Sequence, residues 1–551
     1  MTQGTANHES VQSVLDFMHS KSEKFADSVA MCIKDGASWR ELTYGDLTSR
    51  SCKLASYLIE SGVNHGDRIA LLSESKPEWG VGFFGGVRSG AIVVPLDIKL
   101  TETELVNILS DCAPNTVLAD TKHLAMIDAV KKKVTSIRNV YCLDAEGDPE
   151  HPSINTLEPK NLCEGRDRTL EEVALIVYTS GTTGNPKGVQ TTFGNIIFQV
   201  NRFNEIAGLC QTDKFLSILP LNHLLELTGG FLGVLTNGGT VCFSHSLFPQ
   251  EIIKSMRELQ ITGMVSVPLF FKSLKGAIER EMKKKGIAPE GIQAAAAAIK
   301  DQFGGHLRVF ICGGAPLDVD VAKFFQALGV PVLQGYGLTE TSPVISGNAL
   351  TANCVGSVGK ALPGVEVKID TKAEGDTEGE ILTRGPHVMK GYYKRDDLTS
   401  EVIDKDGWFH TGDIGRVDED GFLFITGRIK NLIVLGGGKK VFPEEVETAF
   451  SNSTLIKECC VCSRKSADGF KEGTEEVCAV VVAADSLLAE HKNDSEAVKQ
   501  AIKKEIDDLG QHLAPYKRPT RIYIHEGDLP KTPTRKIKRP LVSEWLQAQP
   551  G

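Results

Sequence analysis

No run of apolar residues in this 551-residue sequence reaches the ~18 needed to cross a bilayer. The first ten residues, MTQGTANHES, also lack the basic stretch and apolar run of a secretory signal. A soluble, cytoplasmic protein is expected, with peripheral contact at a membrane surface left open. An excess of basic charge is missing too. Lysine and arginine total 61 against 71 aspartates and glutamates, a net charge of −10. Binding a phosphate backbone calls for a basic face, so nucleic acid is not an expected partner. The lysine triplets at 131–133 and 283–285 read as solvated helix faces. Paired C-x-x-C spacing is absent. The 13 cysteines are scattered, the densest group being Cys459, Cys460 and Cys462, with Cys478 further on. No histidines accompany them, so they read as free thiols packed in a core within a reducing compartment rather than as a zinc site. Internal repeats are absent as well.

The chain is long enough for two to four structural units at ~100–200 residues each, and its 41% hydrophobic and 24% charged residues suit ordinary cores. Through the first two-thirds, short β-rich runs alternate with helical patterns. Strands are expected over 68–73, 92–96, 117–119, 173–178, 309–312 and 332–334. A helix is expected over 78–88, and another to about Cys112 behind a capping box of Thr101 and Glu104. Such alternation implies parallel, doubly wound sheets. A lysine-rich helical stretch, 271–304, reads as an elaboration beside the main site. Beyond about Gly356, short runs at 365–369, 379–383 and 421–425 between Gly, Asp and Pro turns imply a small antiparallel sheet or β-barrel. The last part holds helices at 444–450 and 495–509, strands at 458–462 and 477–483, and a basic tail. The expected fold class is α/β: a large N-terminal domain, 1–429, of doubly wound sheets plus a small β-barrel, then a small α+β C-terminal domain, 430–551.

The sharpest local feature runs from Tyr178 to Gly188: Y-T-S-G-T-T-G-N-P-K-G. A β-rich run enters a loop of glycines and hydroxyls. Glycines bring the backbone close to an anion, and successive N–H groups form an anion nest. Thr179, Ser180, Thr182 and Thr183 can donate to phosphate oxygens, Gly181 and Gly184 give the close approach, and Lys187 adds a point charge. The P-loop of NTPases wants glycine before its lysine and a hydroxyl after it. Here Pro186 and Gly188 stand there.

This loop resembles the signature of the adenylate-forming superfamily of acyl-CoA synthetases, firefly luciferase and peptide-synthetase adenylation domains, most closely long-chain fatty acid–CoA ligases. Further motifs follow in that family's order over nearly the whole chain. The segment 219–226, L-P-L-N-H-L-L-E, resembles the loop over the acyl site, with His223 lining the path between acyl carboxylate and adenylate. Glu226 resembles the form seen in fatty-acid enzymes. Gly313, Gly314 and Ala315 follow a strand, where doubly wound sheets bind ligands, and in the family border adenine and acyl pocket. Gln334, Gly335, Tyr336 and Gly337 lead into Thr339 and Glu340. There Tyr336 offers a flat face to adenine and Thr339 reaches the α-phosphate. Glu340 is a hard oxygen ligand for Mg²⁺, with Thr183 as its companion.

The segment 407–413 resembles the ribose motif, with Asp413 accepting from the ribose hydroxyls and Arg428 also reaching ribose. Lys430 matches the hinge, although the family more often has aspartate where Asn431 stands. The segment 436–445 resembles the loop over the pantetheine channel, with Gly438 matching the family glycine and Gly437 standing where serine or lysine is commoner. Lys536 matches the adenylation lysine, preceded by Arg535 where glycine is frequent.

The resemblance implies ATP, Mg²⁺ and CoA, and two half-reactions at one site. A carboxylic acid, most plausibly a medium- or long-chain fatty acid, becomes an acyl-adenylate through Lys536. The mobile C-terminal domain then turns about Lys430 and CoA takes the acyl group. Alternatives are an aryl or short-chain acid, loading of a separate carrier protein, a luciferase-like oxidation, and a nucleotide-binding regulator without catalysis. Lys187, Glu340, Asp413 and Lys536 together argue against the last.

Overall fold

The computed structural model describes the chain apart from residues 1–22, 37, 180–185, 245, 247, 289–290, 372–375, 436–438, 452, 466–474, 492–493, 532–536 and 550–551. The chain divides into two compact units. The first comprises Met1–Val367 and Thr383–Phe409, the second Lys368–Leu382 and His410–Gly551.

Two large sheets make up the first unit. In the nine-stranded sheet, six parallel strands run in the order Val332–Tyr336, Val309–Cys312, Gly263–Ser266, Lys214–Ser217, Thr240–Phe243 and Val29–Asp35. Antiparallel strands close its edges, Ser38–Thr43 on one side and Ser346–Gly347 then Lys360–Ala361 on the other. The seven-stranded sheet has a parallel part, Ile92–Pro95, Arg68–Leu72, Thr116–Ala119 and Asn139–Cys142. Val173–Thr179 continues the parallel part beside Ile92–Pro95, and the remaining edge is antiparallel: Lys187–Thr192 and Gly391–Tyr392. The six strands expected from the sequence begin within two residues of the observed ones, whereas Val29–Asp35, Asn139–Cys142, Lys214–Ser217 and Thr240–Phe243 were not expected. The antiparallel edges were not legible as strands.

Both sheets share one core, and side-chain alternation shows it. Val309 and Ile311 face the shared core while Phe310 and Cys312 face the outer side; likewise Ile69 and Leu71 face in and Ala70 and Leu72 out. Between the sheets lies the helix Pro77–Arg88, all twelve residues of which are buried. Its glycines make that possible. A Cβ on Gly80 would lie 2.9 Å from the Met31 thioether, and one on Gly85 2.6 Å from Leu54. A Cβ on Gly82 would meet Leu71 and Leu118 from the other sheet. The expected elaboration at 271–304 is instead part of a wall. Helices Pro268–Lys284 and Ile292–Gln302 cover the outer face of the nine-stranded sheet, with Phe271 against Phe310 at 5.1 Å between ring centroids. The predicted capping box is present, Thr101 and Glu104 bonding reciprocally at the start of Glu102–Cys112.

The antiparallel sheet Glu366–Asp370, Gly379–Arg384, Phe409–Val417 and Leu423–Arg428 is open, not the expected barrel: its first and last strands do not pair. In the second unit, a three-stranded sheet of Ile456–Lys465, Glu475–Ala483 and Arg521–Ile524 carries helices Pro443–Phe450 and Ser495–Leu509 on one face and Arg539–Gln547 on the other. Cys460, Cys462 and Cys478 are buried free thiols in its core. Among the described residues no cluster of His, Cys, Asp and Glu could hold a metal by itself. No described helix is long and apolar enough to cross a membrane.

Candidate active site

In the first unit the chemistry-bearing residues collect at strand ends. Val173–Thr179 and Lys187–Thr192 form a hairpin with Thr179 opposite Lys187. The loop between them holds Ser180, Gly181, Thr182, Thr183 and Gly184, which lie outside the described residues. Gly188 lets the two strands close, since a Cβ there would come within 2.7 Å of Ile176. The Lys187 ammonium lies 5.0 Å from the centroid of the Tyr392 ring.

The other sheet contributes the segment after Val332–Tyr336. Gln334 is buried and its carbonyl accepts from the Asn348 N–H at 2.9 Å. Gly335 and Tyr336 pair with Gly347 and Ser346. The chain then doubles back sharply: a Cβ on Gly337 would sit 2.0 Å from the Pro343 carbonyl oxygen. Gln199 pins this turn, its amide donating to the carbonyls of Thr341 at 3.0 Å and Val344 at 2.7 Å. On its crest a short 3₁₀ helix, Thr339–Thr341, carries Thr339 and Glu340. The Glu340 carboxylate accepts from the Tyr392 hydroxyl at 2.8 Å, and its main-chain oxygen from the Met389 N–H at 2.9 Å.

Gly313, Gly314 and Ala315 leave the strand Val309–Cys312. Gly313 is buried, Gly314 takes a positive φ of 82° and Gly314 and Ala315 are exposed. Leu225 packs on this bend, its methyl 3.0 Å from where a Gly313 Cβ would be. Leu225 belongs to the turn that begins at His223, whose carbonyl accepts from the Leu227 N–H at 3.0 Å. From Glu226 to Leu232 the helix is of the π type, a form concentrated at functional sites. Glu226 is wholly buried, and neither carboxyl oxygen has a hydrogen-bond partner. Burial pushes its pKa from 4.5 up to about 8.

In the second unit, Asp413 and Arg428 face each other across Phe409–Val417 and Leu423–Arg428 and form an ion pair. Asp413 is buried while half of the arginine side chain is exposed. Glu380 shapes the bend before Asp413, accepting from the Gly412 N–H at 3.0 Å and contacting His410 at 3.1 Å. Lys430 is exposed on the 3₁₀ turn Ile429–Asn431. The departure at Asn431 has a local reason: its amide donates to the Glu444 carboxylate, which an aspartate would repel. Gly437, Gly438 and Lys536 lie outside the described residues. On either side of the undescribed residues 532–536, the Lys538 N–H donates to the Pro530 carbonyl at 2.7 Å. Just beyond, Arg539 grips Glu447 with contacts of 2.7 and 2.9 Å.

A family model described as AMP-binding enzyme matches residues 18–393, and its C-terminal domain model matches 445–536. The chain belongs to this family of AMP-binding enzymes. A feruloyl-CoA synthase of Amycolatopsis sp. is 30% identical, covering 76% of this chain and 80% of that protein. The peroxisomal long chain acyl-CoA synthetase 7 of Arabidopsis thaliana is 29% identical, with 92% and 80% covered. Among solved structures, ATP-bound MatB from Rhodopseudomonas palustris superimposes with a TM-score of 0.79 at 27% identity, over 97% of this chain and 99% of that one.

Tyr392 was not legible as a site residue. It meets Lys187 and Glu340 through partners far away in the sequence, and its only local signal is a Gly-Tyr-Tyr run after a helix-free stretch.

Proposed function

We propose that this AMP-forming acid–thiol ligase joins a medium- or long-chain fatty acid to AMP, releasing pyrophosphate, and then passes the acyl group to CoA. The observation that carries the acyl class is the apolar turn around His223. Leu221, Leu224 and Leu227 are buried there, and Leu225 closes on Gly313 at the end of a parallel strand. The name of the long-chain relative points the same way.

In this reading residues 1–429 bind ATP and the acid, and residues 430–551 form a mobile domain that pivots at Lys430. In the first step a carboxylate oxygen of the acid attacks the α-phosphorus and pyrophosphate leaves. Lys536 meets the charge that develops at the α-phosphate. Thr339 donates to that phosphate, and the loop from Thr179 to Lys187 holds the departing phosphates. Tyr336 stacks on adenine beside Gly313–Ala315, and Asp413 with Arg428 takes the ribose. In the second step the C-terminal domain turns, the Gly437–Gly438 loop replaces Lys536, and the thiol sulfur attacks the acyl carbonyl as AMP departs. His223 lines the path between the acyl carboxylate and the adenylate.

The donor chemistry suits Mg²⁺: Glu340 is a hard oxygen anion held in place by Tyr392, and Mg²⁺ commonly uses one or two carboxylates plus substrate phosphates. Glu340 and Thr183 would hold the ion, which when bound neutralises phosphate charge.

Two observations favour a second reading, an aryl or short-chain acid with a polar substituent. The feruloyl-CoA synthase relative is equally similar, and the buried Glu226 carboxyl lacks a partner that such a substituent could supply. Mass spectrometry after incubation with ATP, Mg²⁺, CoA and a mixed pool of long, short, branched and aryl acids decides. Long-chain thioesters uphold the proposal and aryl thioesters replace its substrate. Acyl-adenylates without thioester would make a carrier protein the acceptor.

A further inference from the structure

We infer that Tyr392 is the positioning residue of the nucleotide-phosphate end of the site, holding the Glu340 carboxylate by its hydroxyl and the Lys187 ammonium by its ring face. The inference rests on the reading of Glu340 as the carboxylate on the magnesium side.

Glu340 and Lys187 belong to different sheets. Lys187 opens a strand of the seven-stranded sheet, and Glu340 follows a strand of the nine-stranded one. Gly391–Tyr392 pairs with the Lys187 strand, Tyr392 lying opposite Val189. From there the short segment 389–392 reaches across and grips Glu340 twice. Met389 holds its main-chain oxygen at 2.9 Å and Tyr392 its carboxylate at 2.8 Å. The same ring lies 5.0 Å from the Lys187 ammonium. Tyr392 is buried.

A flexible Lys–Glu pair in direct contact would cancel its own charges. A rigid ring bearing the cation on its face and the anion on its edge hydroxyl keeps both charges at fixed places. Each charge can then act on its own ligand, the lysine on a phosphate and the carboxylate on the divalent ion beside it. Gly391 serves the placement: its φ is 147°, and a Cβ would press to 3.0 Å on Thr399.

The test is a calorimetric titration of ATP, with EDTA and with Mg²⁺, joined to Mn²⁺ binding followed by electron paramagnetic resonance. Wild type, Tyr392→Phe, Tyr392→Leu and Glu340→Gln are compared. Tyr392→Phe keeps the ring and loses the hydroxyl. It should bind metal-free ATP like wild type and bind Mn²⁺ in the presence of ATP about tenfold more weakly, the worth of one hydrogen bond to a charged group. Tyr392→Leu should also weaken metal-free ATP binding, because Lys187 loses its platform. The Phe change should add nothing in the Glu340→Gln background.

Mn²⁺ binding unchanged in Tyr392→Phe overturns the inference. If Glu340→Gln still weakens Mn²⁺ binding, the reading of Glu340 survives alone; if it does not, that reading fails too. Equal loss of ATP affinity with and without metal in Tyr392→Phe also overturns the inference, since the hydroxyl would then not act through the metal side.

Discussion

Replacing Glu226 by glutamine should change how stability depends on pH, because the carboxyl carries a titration that folding shifts. Its pKa is about 8 when folded against an ordinary 4.5. Below pH 4.5 both folded and unfolded chains are protonated, and the group contributes no pH dependence. Between 4.5 and 8 the unfolded chain is ionised while the folded one is neutral, so folding must take up a proton. Stability therefore falls as pH rises, by about 1.4 kcal/mol per unit, and levels off above 8. The loss amounts to about 3 kcal/mol at pH 7 and about 5 kcal/mol at pH 9. Glutamine does not titrate. Its amide brings its own cost of burying an unpaired group, ~1–3 kcal/mol at every pH, so the gap at a single pH proves little. The slope is the signal: relative to wild type, Glu226→Gln should gain stability steadily from pH 5 to 8 and no further beyond. Equilibrium urea unfolding followed by tryptophan fluorescence reads it. Trp79 is buried, with its ring edge-on to Phe231 at 6.0 Å, and Phe231 belongs to the same π turn as Glu226. A gap that stays constant between pH 5 and 9 refutes the reasoning and means that the carboxyl finds a partner when folded.

Lys536→Ala should lower adenylate formation at least a hundredfold, the scale of losing one charge-stabilising donor. Thioester formation from a supplied acyl-adenylate should persist, and equal loss of both half-reactions in rapid-quench assays would remove Lys536 from the first step. Gly337→Ala places a methyl 2.0 Å from the Pro343 carbonyl oxygen. The turn carrying Thr339 and Glu340 must open, and ATP binding by calorimetry should fall beyond detection in whatever protein remains soluble. Unaltered binding would show that the turn is slack.

The candidate site could be proposed from the sequence because its residues are bunched. The Thr179–Lys187 loop, the Tyr336–Glu340 crest and the Asp413 bend each pack their chemistry into a few consecutive positions. Six of the parallel strands were plain, since strands buried on both faces read as unbroken apolar runs, as in Val173–Thr179. What escaped depends on pairing across long sequence distances. Nothing near Tyr392 announces a partner at 187 or 340, and a two-residue edge strand has no period to detect. The barrel expectation failed for a similar reason: short runs between turns describe an open sheet and a closed one alike, and closure is decided by whether Glu366–Asp370 meets Leu423–Arg428. Glu226 could be noticed in the sequence, but not that it is a carboxyl left alone in a core.

The glycine-bearing helix Pro77–Arg88 also fixes a dimension. Where Gly80 turns toward Met31 on one sheet and Gly82 toward Leu71 and Leu118 on the other, the missing Cβ sets how closely those side chains seat on the helix. A methyl added on either face would press against those side chains and bear on the separation of the sheets that carry Lys187 and Glu340.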